Sequence, residues 1–224
     1  MHKKSQLTFD FSATTPQTNF QESDFIASKA SENAINFLNK FFAQTTFDTT
    51  LPSCILKGEH ACGKTHLLHI FAQKFHATFL TKNDFDKINS PTFFVANNFY
   101  ILENIDEIES EELLLHIINS AAEAKSFLVL SAIDVDKFNL RDLTSRLKNI
   151  FTVEIKNPPQ DLIKALLAKG LAQRQLKISD EVMEFLTNRL QPSYVTIANA
   201  LQAIENHCHE NKKNFTLLEA KKII

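Results

Sequence analysis

The sequence predicts an α/β fold in which a parallel-sheet domain is followed by a small all-helical lid. Three observations carry this prediction. Ser53-Cys-Ile-Leu56 is short and apolar, Gly58-Glu-His-Ala-Cys-Gly63-Lys64-Thr65 is a glycine-bracketed loop, and residues 65–74 place Leu67, Leu68 and Phe71 at helical spacing. Further short apolar runs at 126–131 and Phe151–Ile155 read as buried strands, with a helical pattern over 111–125. Asn157-Pro-Pro159 then breaks the chain, and residues 160–175, 179–190 and 193–209 read as three helices.

Composition narrows the function. The 224 residues are 44% hydrophobic and 22% charged, with a net charge of −2 and a pI near 6.4, values that argue against an extensive nucleic-acid-binding surface. No apolar run reaches the roughly 18 residues of a membrane span, and the amino terminus lacks a signal-peptide pattern. Cys54, Cys62 and Cys208 form no Cys-x-x-Cys pair, which suits a reducing compartment. The expected location is the cytoplasm, with no membrane partner.

In chain order, residues 1–20 are polar and aperiodic and read as a flexible arm. Within it Gln6-Leu-Thr-Phe-Asp-Phe11 places Leu7, Phe9 and Phe11 at alternating positions. Such a peptide fits pockets on a partner, or a short strand on the protein's own sheet. Residues 28–42 carry Ala30, Ala34, Ile35, Leu38, Phe41 and Phe42 at helical spacing, with Ser28 or Ser31 as cap.

The strand, glycine loop and helix at 53–74 are the context that gives the loop its chemistry. Two of the chain's three glycines bracket it, where backbone must approach a ligand closely. In this pattern backbone N–H groups and the positive helix end hold phosphates, Lys64 reaches the outer phosphates and Thr65 binds Mg²⁺. ADP or ATP is therefore the expected ligand, held by Gly58, Cys62, Gly63, Lys64, Thr65 and His66. Cys62 also reads as a small filler beside Gly63.

Thr78-Phe-Leu-Thr81 is a short strand, and Asp84 opens a short helix. Phe99-Tyr-Ile-Leu-Glu103 is an apolar strand ending in an acid, the arrangement that sets a carboxylate against Mg²⁺ or its water shell. Glu103 takes the metal position. Asn104 takes the place where a second acid usually orients the attacking water, so weak intrinsic hydrolysis is expected. Asp106 is the reserve acid. Ser131, at the end of the strand over 126–131, is the candidate sensor of the γ-phosphate, with Asp134 the runner-up, and either residue also reads as a turn cap. Two of four arginines, Arg141 and Arg146, fall in the stretch before the last strand, where an arginine completes a neighbour's ATP site or forms a surface ion pair. His207-Cys-His209 reads as a solvated helix end.

A P-loop α/β domain over 21–157, a Pro-Pro hinge and a helical lid over 158–224 resemble the AAA+ architecture. Gly63-Lys-Thr-His-Leu-Leu-His69, Asp142-Leu-Thr-Ser-Arg146-Leu and Leu176-Lys-Ile-Ser-Asp-Glu-Val-Met-Glu-Phe-Leu resemble, in that order, the P-loop helix, the arginine box and the lid of the DnaA family. Gln6-Leu-Thr-Phe-Asp-Phe11 is similar to the peptides that dock on the DNA polymerase sliding clamp, the β subunit of DNA polymerase III. The layout resembles the Hda regulators, a DnaA-related AAA+ group without the helix-turn-helix domain; the sequence closes at Ile224, at the lid. The resemblance implies clamp docking through Gln6, Leu7, Phe9 and Phe11, and an inter-subunit role for Arg146. It further implies stimulated ATP hydrolysis by DnaA, negative regulation of replication initiation and only indirect contact with DNA. Self-association into a homo-oligomer stays open. The lid arginine expected near Tyr194-Val195-Thr196 is absent. The alternatives are a stand-alone AAA+ ATPase acting on DNA as a helicase loader or initiator-like protein, and a non-enzymatic binding module.

Overall fold

Alternation along each strand sorts its side chains onto two faces, and here both faces are covered. The computed structural model describes residues 25–47, 51–90, 92–211 and 215–223, so the arm peptide Gln6-Leu-Thr-Phe-Asp-Phe11 lies outside the described residues. Strands β1 (Ser53–Gly58), β2 (Thr78–Phe79), β3 (Phe99–Leu102), β4 (Phe127–Ala132) and β5 (Phe151–Ile155) form one parallel sheet in the order β2-β3-β4-β1-β5. Cys54, Leu56, Ile101 and Val129 face α1 (Glu32–Phe42) and α2 (Lys64–Phe75). Ile55, Tyr100, Leu128 and Leu130 face α3 (Glu111–Glu123) and α4 (Arg141–Lys148). This two-sided burial is why the strands read as continuous apolar runs.

The heavy use of phenylalanine is explained by the first of these cores. Phe99 and Phe127 stack at 4.7 Å between ring centroids across β3 and β4, Phe42 stacks on Phe71 at 5.3 Å between α1 and α2, and Phe42 meets Phe99 at 5.0 Å, fastening α1 to the sheet. Such pairs contribute about 0.5–1.5 kcal/mol each beyond their buried area.

Helices α5 (Gln160–Gln173), α6 (Asp180–Arg189), α7 (Tyr194–Asn211) and α8 (Leu217–Ile223) surround a third core built on Leu167, Leu171, Val182, Leu186, Ile197 and Ile204. Ser179 caps α6, its hydroxyl accepting from Val182 N–H at 3.4 Å. His207, on α7, packs edge-on against Phe215 at 5.4 Å. Among the described residues no helix is long and apolar enough to cross a membrane.

Local chemistry moves some boundaries from those the periodicity predicts. The first helix begins at Glu32 with Ser31, one of the two caps the sequence offers, at the N-cap position, while Ser28 lies in the preceding turn, its carbonyl accepting from Ser31 N–H at 3.0 Å. Asp84 does not open its helix. It is the third residue of a 3₁₀ turn over Lys82–Lys87, where its carboxylate accepts from Thr81 N–H at 3.0 Å and from the Thr81 hydroxyl at 2.7 Å. Those bonds to Thr81 hold the Asp84 carboxyl below its ordinary pKa. Helix α4 has only Leu143 and Leu147 as its buried stripe, too brief a signal to declare a helix in sequence.

Candidate functional site

The loop after β1 is shaped by its two glycines. Gly63 has φ of +95°, a left-handed conformation that disfavours any side chain, and a Cβ there would sit 3.1 Å from the Phe25 ring. A Cβ on Gly58 would come within 2.6 Å of Cys62 Sγ and 3.2 Å of Ile155 O. Cys62 thus packs beneath the loop, and burial pushes its thiol pKa up, so it is a filler rather than a reactive thiolate. Lys64 opens α2 with only 7% of its surface exposed. Its Nζ donates to Gly58 O at 2.8 Å and Glu59 O at 3.1 Å. An ammonium has three donors, so one remains for an anion in the loop. The free N–H groups of the first turn of α2 add positive potential at the same place.

Because β4 lies between β1 and β3, the carboxyl ends of all three strands come together beside this loop. Ser131 pairs in register with Leu56 and is fully buried. Its hydroxyl accepts from Asn104 N–H at 3.0 Å, tying β4 to the segment after β3 and leaving the hydroxyl proton for another acceptor. Asn104 itself has φ of +50°, a left-handed turn that Asn tolerates well, so its backbone accounts for the residue at this position. Asp106, the reserve acid, accepts from Ile133 N–H at 3.0 Å and braces the end of β4. Asp134 accepts from Asp136 N–H at 3.0 Å and closes a turn.

Glu103 follows β3 on the parity that faces α2, close enough to raise the pKa of His69 against the larger lowering by burial. Its Oε1 is buried without a hydrogen-bond partner among the described residues. A buried carboxylate oxygen left unpaired is costly, and a cation or its water shell relieves that cost. Glu103 after β3 and the exposed Thr65 at the start of α2 both carry oxygen donors of the kind that Mg²⁺ takes. His69, which stacks on Phe79 at 4.3 Å, completes this corner and carries no signal in the sequence beyond its helical position.

Next to the loop lies a pocket of about 230 Å³, lined by Phe25, Gly63, His66, Leu166, Lys169 and Tyr194 among others. His66 faces this pocket, edge-on to Phe25 at 5.6 Å. Burial, aided by the neighbouring Cys62 and Glu59, pushes the Tyr194 phenol up to about 12, so it stays a neutral hydroxyl. Phe25, Lys169 and Tyr194 come from three segments far apart in the chain.

Arg146 sits elsewhere. It lines a hollow of about 730 Å³ with Leu51, Pro52 and Ser53, at the amino end of β1, and with Phe151, which is 51% exposed. The phosphate loop begins at the other end of β1, six residues or roughly 20 Å away at about 3.3 Å per residue. Arg146 Nη2 donates to Asn119 Oδ1 at 2.7 Å, and Glu111 holds the start of α4, accepting from Asn139 N–H at 3.0 Å and Leu140 N–H at 2.6 Å. A third hollow of about 620 Å³ opens beyond β3 around Glu103, Glu107 and Glu109.

No family model matches the chain. It is 25% identical over 224 aligned residues to the chromosomal replication initiator protein DnaA of Buchnera aphidicola, covering 88% of this chain and 48% of that protein, about half its length. It is 26% identical to an uncharacterised protein of Haemophilus influenzae, covering 79% of this chain and 83% of that one. Domain III of the Thermotoga maritima replication initiation protein DnaA superposes with a TM-score of 0.67 at 15% identity, covering 94% of this chain and 98% of that one. A DnaA bound to AMPPCP and single-stranded DNA superposes with a TM-score of 0.60 at 16% identity, over 85% of this chain and 67% of that one. A point variant of RuvB from Thermotoga maritima gives 0.60 at 16% identity, over 88% and 68%. The chain has the α/β AAA+ fold of DnaA domain III, which RuvB shares.

Proposed function

We propose that this chain is a nucleotide-holding adaptor of the Hda type, which docks on the sliding clamp and promotes ATP hydrolysis by DnaA, so restraining replication initiation. The observation that carries the reading is the separation of its two charged centres. The loop at 58–65 supplies the elements that hold a polyphosphate. Arg146 is exposed on a braced helix at the opposite end of β1. An arginine so far from its own loop serves a nucleotide bound by another protein, stabilising charge that develops in phosphoryl transfer.

In this reading Gly58, Gly63 and Lys64 cradle the phosphates of ADP or ATP, with Thr65 and Glu103 holding Mg²⁺, which would neutralise phosphate charge. The pocket of Phe25, His66 and Tyr194 takes the nucleoside. Two features favour slow intrinsic turnover: Asn104 cannot act as a base, and α7 carries no lysine or arginine over Tyr194–Asn211 to reach a terminal phosphate. The AMPPCP seen in DnaA structures of this fold supports the nucleotide assignment.

Docking rests on Gln6, Leu7, Phe9 and Phe11. Direct binding to the cognate clamp is expected at micromolar affinity or tighter, and a Leu7→Ala/Phe9→Ala double variant is expected to lose it. Burying two large apolar side chains contributes about 1.5–3 kcal/mol each, so their joint loss lowers affinity by roughly 10²-fold or more. Equal binding by the two proteins in a surface-immobilised clamp assay would remove the docking role from the arm.

A further inference from the structure

The lid meets the phosphate loop through an anion that the loop itself supplies. Glu59, the second residue of the loop, turns its carboxylate to the amino end of α7. Oε1 accepts from the Ser193 hydroxyl at 2.6 Å, and Oε2 accepts from Tyr194 N–H at 2.8 Å. Ser193 Oγ in turn lies 3.4 Å from Thr196 N–H, and the Thr196 hydroxyl points back to Gln191 O and Ser193 O at 2.7 and 2.9 Å. A helix of 18 residues presents unpaired N–H groups and partial positive charge at this end. Glu59 answers it with a full negative charge. The carbonyl of the same residue receives Lys64 Nζ. A single residue therefore joins the phosphate-reaching lysine, through its backbone, to the lid, through its side chain.

We propose that Glu59 is a latch that holds the lid on the phosphate loop without nucleotide, making lid closure independent of the terminal phosphate. The inference rests on the nucleotide-site reading above, while its first test is made on the nucleotide-free chain. A lid cation that gripped a γ-phosphate would close the lid on a triphosphate and release it on a diphosphate. At α7 the polarity is reversed, because this helix brings no lysine or arginine and the loop brings the anion, while the lid cation that lines the pocket, Lys169, comes from α5. Tyr194 extends the consequence: its side chain lines the adjacent pocket while its N–H is held by Glu59, so the latch also fixes one wall of that pocket. Departure of a bound ligand then requires these two bonds to break, whatever its number of phosphates.

The test is amide hydrogen exchange on the full nucleotide-free chain, comparing wild type with Glu59→Ala, Glu59→Gln and Ser193→Ala. In Glu59→Ala the amides of Tyr194 and Thr196 are expected to exchange about tenfold faster or more, the effect of losing a charge-assisted hydrogen bond at a helix end. Glu59→Gln, which retains one acceptor, and Ser193→Ala, which leaves the loop sequence intact, fall between. Protection of Val129 and Leu130 in β4 reports that each variant is folded. If Glu59→Ala loses that protection, the comparison passes to Glu59→Gln, which removes the charge without shortening the side chain, and unchanged Tyr194 exchange there overturns the latch. Unchanged Tyr194 exchange in a folded Glu59→Ala overturns it as well, as does protection that appears in wild type only on adding a non-hydrolysable ATP analogue. Adding ADP or that analogue to wild type separates the two readings. Absence of nucleotide binding with the expected exchange pattern removes the nucleotide reading and leaves the latch.

Discussion

Arg146→Ala is expected to abolish the chain's stimulation of ATP hydrolysis by DnaA, an effect of about 10³–10⁵-fold in the stimulated rate. The size follows from what an arginine adds, beyond the metal and the loop lysine, when phosphoryl transfer spreads negative charge over the equatorial oxygens. Geometry makes the effect specific. Arg146 lies at the amino end of β1, the glycine loop at its carboxyl end, so the variant leaves that loop intact. Asn119 holds one Nη at 2.7 Å and so directs the guanidinium, while Glu111 fixes the start of its helix. Arg146→Lys is expected to recover little, since an ammonium lacks the planar fork that grips two oxygens together. Turnover of radiolabelled ATP by DnaA, with this chain and DNA-loaded clamp present, measures the effect. Undiminished stimulation by Arg146→Ala would withdraw the residue from this role.

Lys64→Ala is expected to lower affinity for ADP and ATP by about 10- to 10²-fold, because a hydrogen bond to a charged group contributes about 1.5–3 kcal/mol. The ammonium is already in place, fixed on Gly58 O and Glu59 O and almost fully buried, so little ordering is required when a phosphate arrives. Its loss also leaves those two carbonyls without their donor, and a fall in thermal stability of about 1–2 kcal/mol accompanies the loss of binding. Titration calorimetry with ADP reads the first effect and thermal unfolding of the ligand-free protein the second. Full affinity in the variant would place nucleotide elsewhere.

The parts of this site that are contiguous in sequence were legible there. Glycine at 58 and 63, lysine and threonine after it, and apolar residues on either side of the loop declare a strand, a phosphate loop and a helix, because each local preference has one structural outcome. The place of Glu103 just after β3 was legible for the same reason, as an acid closing an apolar run. What stayed hidden depends on register and on distance along the chain. The bond from Asn104 N–H to Ser131 needs β3 and β4 to be neighbours, and no periodicity states which strands pair. Asn104 reads in sequence as a missing acid, whereas its left-handed backbone gives the residue a conformational reason. The pocket gathers Phe25, His66, Lys169 and Tyr194 from distant parts of the chain, and Glu59 meets Tyr194 across 135 positions. A glutamate inside a glycine loop was the one available sign of that contact, and its meaning depends on where the lid comes to rest.

The central claim is that this chain acts on ATP held by another protein rather than turning over its own. Steady-state ATP hydrolysis, measured with the chain, DnaA and DNA-loaded clamp each omitted in turn, tests it most directly. The account predicts slow turnover by the chain alone and a large rise in DnaA turnover only when the chain and the clamp are both present. Rapid turnover by the chain alone, lost in Lys64→Ala and without effect on DnaA, would contradict it and identify a self-contained ATPase.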